Sequence, residues 1–285
     1  MNESSSKSLI VISWDGMSSP LSHILEDTSA HFDLFIIDYS GENHEQAVQK
    51  FQPSFYLSKK SECKGDLMQN VYEYLQSNIK NNYNYIGFID DDIYFTIADL
   101  NKLIFIATLE KLDVFQASLT HDSYYNHRQF IHKAGVQIQK TWWVEIMSPF
   151  YCYEVFMAAG PYLNKSISGT GTDVYLIPTI QQIIGKTNTA VVHAVQMKHC
   201  RPIRTDNRIF SNQKNNLQEI AEMQVFCKQL ISQHLKNTGT ALTENFMKEV
   251  LDIKYMYGIP LEYKLRRIIP MLKNIYKLLV DASYR

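Results

Sequence analysis

The run FIDDDIYF, residues 88–95, sets three consecutive acids, Asp90, Asp91 and Asp92, where an apolar segment stops. Tyr85 to Ile89 reads as a strand buried on both faces, and in open α/β sheets the ligand crevice lies just beyond the strands' carboxyl ends. Side chains alternate along an extended chain, so the expectation is that Asp90 and Asp92 share the crevice while Asp91 points elsewhere. Oxygen ligands of this kind suit Mg²⁺ or Mn²⁺, which keep several waters and are held by one or two carboxylates together with substrate phosphates. The competing reading is a helix cap, because Asp is favoured there and Ile97 to Leu112 looks helical.

Three more positions carry candidate chemistry. Asp173 ends the loop SGTGTD, 168–173, which has neither P-loop nor dinucleotide-binding spacing. Its glycines let backbone approach a ligand, Thr170 or Thr172 is placed to cap a helix starting near Asp173, and a carboxylate there can act as general base. The alternative is an acid that only complements the helix dipole. His199, in MKHCRP, follows a late strand; a neutral imidazole there can join a metal site, or it is a structural histidine. His193, inside AVVHAV, reads as structural. Glu145, in WWVEIMSPF, is expected to be partly buried and so must find partners or protonate. Beside Trp142 and Trp143 it reads as a contact for acceptor hydroxyls, or as a structural acid.

The elements that must position these groups alternate. Leu9–Ser13, Phe32–Asp38, Ser54–Leu57, the acidic strand and Val114–Leu119 read as strands, with helices around Leu67, Val71, Tyr74 and Leu75 and over 97–112 between them. Residues 124–147 read as antiparallel or irregular structure laid across the sheet. Pro149 is expected to open a short helix containing Tyr151 to Ala159, and Val191–Val195 is one more strand. From about Asn212 onward no strand is expected, and two or three helices fill the tail. The organisation is therefore a catalytic domain over 1–211, with halves at about 8–122 and 123–211, and a helical extension over 212–285.

Bulk properties exclude several classes. With 28 basic and 29 acidic residues the net charge is −1, which gives no electrostatic basis for nucleic-acid binding. The four cysteines form no C-x-x-C pair, which argues against a zinc knuckle or redox dithiol and for buried thiols in a reducing compartment. MNESSSKS lacks the pattern of a signal peptide, and no apolar run reaches the length of a spanning helix. The cytoplasm is the expected location.

FIDDDIYF, SGTGTD and VQMKHCRP together, over roughly residues 8–205, resemble the nucleotide-sugar-dependent glycosyltransferases of the GT-A fold. VEIMSPFYCYEVF, followed by the Gly-containing loop, also looks like bacterial GT-A-like proteins. The resemblance implies an α/β fold with a Rossmann-like, mixed but mostly parallel sheet flanked by helices. It also implies transfer of a sugar from a nucleoside-diphosphate sugar, UDP favoured, to a glycan or lipid-linked glycan in bacterial surface polysaccharide synthesis. It assigns a Mn²⁺ or Mg²⁺ to Asp90, Asp92 and His199, and the role of base in an inverting reaction to Asp173. Donor contacts fall on Ser13, Trp14, Asp15, Asp38, Lys64 and Asp91, with Lys198 and Arg201 placed to assist at the diphosphate. Trp143, Glu145, Gly171 and Thr172 fall on the acceptor side.

The tail YKLRRIIPMLKNIYKLL mixes Lys264, Arg266, Arg267, Lys273 and Lys277 with apolar residues. A basic amphipathic helix of this kind lies on an anionic membrane, packs on the catalytic domain, or dimerises. Rival functions are a metal-dependent phosphoesterase or nucleotidyltransferase, for which no second set of acids is evident, and a non-catalytic carbohydrate-binding protein.

Overall fold

The computed structural model describes residues 7–17, 29–79, 83–202, 208–240, 255–256 and 259–260. The chain divides into two compact units, Met1–Leu242 and Thr243–Arg285.

The first unit is built on a sheet that begins with β1 (Ser8–Trp14), β2 (Phe32–Asp38), β3 (Phe55–Ser58) and β4 (Tyr85–Ile89). β1 and β4 are buried along their whole length, as continuous apolar runs in a covered parallel sheet must be. The strand order β3-β2-β1-β4 is parallel throughout. β1 thus has β2 on one side and β4 on the other, so its carboxyl end marks the switch point where α/β sheets open a crevice.

α1 (Glu45–Val48) is a single turn. α2 (Lys64–Asn78) buries Leu67, Val71 and Leu75 at i, i+4 and i+8, and its Tyr74 ring packs 5.0 Å from Phe35 of β2. After the acids come β5 (Ile93–Tyr94) and α3 (Ile97–Leu109). α3 is capped by Thr96, whose hydroxyl accepts from Asp99 N at 3.0 Å. The acidic triplet is therefore not the cap of this helix.

The second half of the sheet comprises β6 (Val114–Leu119), β7 (Ile138–Lys140), β8 (Phe150–Cys152) and β9 (Thr189–His199). β6 and β9 run parallel, and β8 lies antiparallel between β4 and β6. The residues after Pro149 thus open a strand rather than a helix, and α4 starts only at Tyr153 (Tyr153–Ala159). Phe150 and Tyr151 decide this, because both rings are buried among Phe115, Phe88 and Phe156. β9 is longer than its apolar stretch, continuing through the polar residues Gln196, Lys198 and His199 because β5 and β6 pair with them.

Two helices complete the unit, α5 (Ile177–Ile184) and α6 (Asn216–Thr238). Asn215 and Gln218 form a reciprocal capping box on α6, a device worth about 1 kcal/mol. α6, grouped by sequence with the C-terminal extension, belongs to the first compact unit. In the second unit β10 (Tyr255–Met256) pairs antiparallel with β11 (Ile259–Pro260), which corrects the expectation that no strand follows Asn212. The basic segment 264–279 lies outside the described residues. No described helix is long and apolar enough to cross a membrane.

Candidate active site

The three acids leave β4 on a tight turn, closed by Ile93 N donating to Asp90 O at 3.0 Å. Alternation holds only for an extended chain. On the turn all three carboxylates line one cavity, and Asp91 does not point away. Asp90 is ion-paired with Lys64 Nζ and accepts from Ser13 Oγ at 3.2 Å. Asp91, buried, accepts from Tyr39 OH at 2.7 Å and pairs with Arg201 Nη2 at 2.6 Å. Asp92 faces His199 Nε2 at 3.4 Å and Arg201 Nε at 3.6 Å.

Protonation follows these partners. Burial raises the Asp90 pKa above its ordinary value; Lys64 opposes the rise, and the Asp92 charge adds to it. Burial acts the same way on Asp92, but hydrogen bonding and charge from His199 outweigh it and hold that carboxyl below the ordinary value. His199 responds reciprocally: burial alone would lower it, and Asp92 raises it.

His199 reaches Asp92 across a wide sequence gap because β5 follows the acids directly and pairs antiparallel with the end of β9, in the register Ile93↔His199. Cys200 N donates to Asp92 O at 2.8 Å and tightens the join. Lys64 comes from the first turn of α2. Lys198, next to His199 on the strand, points to the opposite side and pairs with Asp122 at 2.5 Å.

Another part of the cavity lining is acidic as well. The β4–β8 pairing extends upstream through Asp90 N to Met147 O at 3.3 Å, which draws Glu145, Ile146 and Met147 to the acidic turn. Glu145 is 3 % exposed, and its Oε2 has no hydrogen-bond partner. Burial, helped by the Asp173 charge, pushes its pKa well above the ordinary carboxyl value, as expected of an acid that must find partners or protonate. Asp173 is pushed up to about 7 by burial, although backbone N–H groups at Val174, Ile146 and Gly171 moderate the rise.

The segment carrying Asp173 is a widened helical turn, Thr172–Leu176, in which both Tyr175 N and Leu176 N donate to Gly171 O. Such π-type turns recur at functional sites. Gly171, at φ +88°, makes the entry, so neither Thr170 nor Thr172 caps a helix here. The cavity encloses about 550 Å³, within the usual range for ligand pockets. Ser13, Lys64, Asp90, Asp91, Asp92, Glu145, Asp173, His199 and Arg201 all line it.

Other expected positions lie off the cavity lining. Asp38 is fully buried and spends its oxygens on Ser40, His44, Tyr56 and Ser58. Burial raises its pKa, but those hydrogen bonds win and hold it at about 2. Trp14 packs edge-on against His44, Asp15 accepts from Met17 N, and Thr172 is buried. Gly171 faces α6, where an added Cβ would stand 3.0 Å from Met223 Cβ and 3.4 Å from Ile220 Cα. Trp143 stacks edgewise on His127 and Phe130, at 4.7 and 4.9 Å, so it supports the lining residue His127 rather than lining the cavity.

Tyr39, Glu62, Asn126, His127 and Arg208 also line the cavity, and sequence reading missed them. Tyr39 was within reach, since it directly follows Asp38 at a strand end. His127 had no local signal; burial lowers it to about 4, leaving a neutral imidazole.

The donor set fits a dication at Asp92 and His199. Tyr124 O can only accept, so its 3.0 Å contact fixes the proton on His199 Nδ1 and directs Nε2 towards Asp92. Among the described residues no three acids, histidines or cysteines form a ready-made cage. Two protein ligands completed by substrate phosphates are nonetheless ordinary for Mg²⁺.

The four-stranded parallel half and the antiparallel strand inserted beside it give the chain a GT-A fold. Among solved structures the chain is similar to TarS from S. aureus in complex with UDP-GlcNAc, with TM-score 0.52 and 12 % identity over 86 % of this chain and 76 % of that one. It is similar also to GalNAc-T7 with UDP, GalNAc and Mn²⁺, with TM-score 0.61 and 10 % identity over 87 % of this chain and 58 % of that one. At these identities the likeness is one of fold. No family model matches the sequence, and no curated protein matches it.

Proposed function

We propose that this protein is a glycosyltransferase that moves a sugar from a nucleoside-diphosphate donor, UDP-linked by preference, to a hydroxyl of a glycan or lipid-linked glycan in bacterial surface polysaccharide synthesis. The observation that carries this reading is a single cavity lined both by a cation-paired acidic turn with a histidine and by two acids of raised pKa. The solved structures of TarS with UDP-GlcNAc and GalNAc-T7 with UDP and Mn²⁺ support the choice of donor.

Lys64 and Arg201, the cations paired with the acidic turn, would contact the diphosphate. Asp92 and His199 would hold Mn²⁺ or Mg²⁺, which when bound neutralises charge growing on the leaving diphosphate. Asp173 takes the proton of the acceptor hydroxyl. The acceptor oxygen bonds to the anomeric carbon as the carbon–oxygen bond to phosphate breaks, and the electron pair leaves on the diphosphate. Attack from the side opposite the leaving group inverts the centre. Glu145, kept neutral by burial, donates a hydrogen bond to a sugar hydroxyl.

The test is a thermal-shift screen of nucleotide sugars with and without Mn²⁺, followed by an assay of donor hydrolysis without acceptor. Metal-dependent stabilisation by a nucleotide sugar is expected. Release of phosphate from simple esters, with no nucleotide effect, would assign a phosphoesterase instead.

A further inference from the structure

Glu219 lies on α6, in a segment that the sequence assigns to an extension, yet it is completely buried. An ionised carboxylate in that position must be surrounded by donors. Its Oε1 accepts from Ile167 N at 2.8 Å and Asn212 Nδ2 at 2.7 Å. Its Oε2 accepts from Ser168 N at 2.9 Å, Ser166 Oγ at 3.0 Å and Ser168 Oγ. Burial raises its pKa, and the hydrogen bonds outweigh burial and keep it below the ordinary carboxyl value.

The donors belong to the loop that leads into Asp173, and the bonding continues along it. Thr170 N donates to Ser168 Oγ at 3.0 Å and Thr172 N donates to Gly169 O at 3.0 Å, while Ser166 Oγ, whose one proton faces Glu219, lies 3.1 Å from Thr170 O. On one side the loop is pinned to α2, where Gly65 N and Asp66 N both donate to Ile167 O. On the other, α6 leaves Gly171 little room for a side chain: a Cβ there would stand 3.0 Å from Met223 Cβ, one turn beyond Glu219. The carboxylate is thus the charged centre of a bracket around the residues before Asp173.

We propose that Glu219 is a positioning residue: from α6 it fixes loop 166–171 and so sets where the Asp173 carboxylate stands in the cavity. The chemical consequence rests on the glycosyltransferase reading above; the positioning does not. A glutamine at 219 has one acceptor oxygen and presents an amide N–H₂ to groups that are themselves donors, so part of the bracket must open.

The full chain carrying Glu219→Gln is compared with wild type by donor hydrolysis, donor affinity and a ¹³C NMR titration of Asp173 in carboxyl-labelled protein. We expect turnover to fall about tenfold or more with donor affinity within about twofold, and the Asp173 midpoint to move from near 7 towards the ordinary 3.8 as water enters. A lower melting temperature with unchanged turnover and an unchanged Asp173 midpoint would overturn the proposal. If wild type hydrolyses no nucleotide sugar, the functional reading falls, and the NMR midpoint alone decides the positioning. Ser168→Ala, which removes one donor to Glu219 and the hydroxyl that holds Thr170, serves if Glu219→Gln does not fold, and the same midpoint shift is required of it.

Discussion

Arg201 Nη2 lies 2.6 Å from Asp91 Oδ1 while its Nε lies 3.6 Å from Asp92 Oδ2, so a single guanidinium bridges two neighbouring carboxylates. With Lys64 on Asp90, the chain's own cations balance most of the acidic turn. Arg201 therefore competes with any added dication for Asp92. In Arg201→Met, Mn²⁺ should bind the nucleotide-free protein roughly three- to fivefold more tightly, the scale of one partly exposed ion pair, while UDP binds more weakly. Electron paramagnetic resonance of free Mn²⁺ measures the first and calorimetry the second. Unchanged or weaker Mn²⁺ binding would show that Arg201 does not compete.

Asp92 and Asp173 should separate binding from turnover. Asp92→Ala is expected to abolish metal-dependent donor binding, and Asp173→Ala to leave it intact while removing turnover. Equal loss of donor binding in both variants would refute this division.

The raised pKa of Asp173 has a stability consequence of definite sign. The folded carboxyl keeps its proton to about pH 7, against an ordinary 3.8, so the folded state binds more protons between these values and stability declines as pH rises through that window. Asp173→Asn should therefore melt higher than wild type at pH 8, with the gap closing towards pH 4. Wild-type turnover should rise through pH 7 as the base ionises. A melting-temperature difference that does not vary with pH would contradict this account.

Gly65 admits no side chain. A Cβ there would stand 1.8 Å from Ser166 O and 2.8 Å from Gly169 N, both backbone atoms that cannot swing aside. Gly65→Ala should cost about 1–3 kcal/mol, the usual scale of overpacking, and urea denaturation would show it as a lowered midpoint. An unchanged midpoint would mean that α2 and the loop are not in tight contact.

Asp38 gives the opposite pattern to the cavity acids. Every partner it has comes from its own surroundings at the β2 end. Asp38→Asn should destabilise by about 1–3 kcal/mol, the penalty for disrupting a buried hydrogen-bonded group, with UDP affinity of the folded protein unchanged. Loss of UDP affinity in stable Asp38→Asn protein would return this residue to the donor site.

Much of the frame was legible because it is written locally. β2, β4 and β6 coincide with their apolar runs, since strands buried on both faces tolerate little else, and the stripe on α2 follows its helical period. Phe150–Cys152 was misread because a short aromatic run beside a proline carries no period, and only the vacancy between β4 and β6 makes it a strand.

The amino-acid sequence by itself determined the acidic triplet, its place after a buried strand, and the types of residue able to hold a cation or move a proton. Tertiary structure decided which of them meet. Asp91 faces the cavity because the chain turns at Asp90, His199 joins Asp92 through an antiparallel register, and Glu219 reaches the Asp173 loop from a helix beyond the apparent end of the domain. These relations depend on long-range pairing and burial, which local residue types and spacings do not encode.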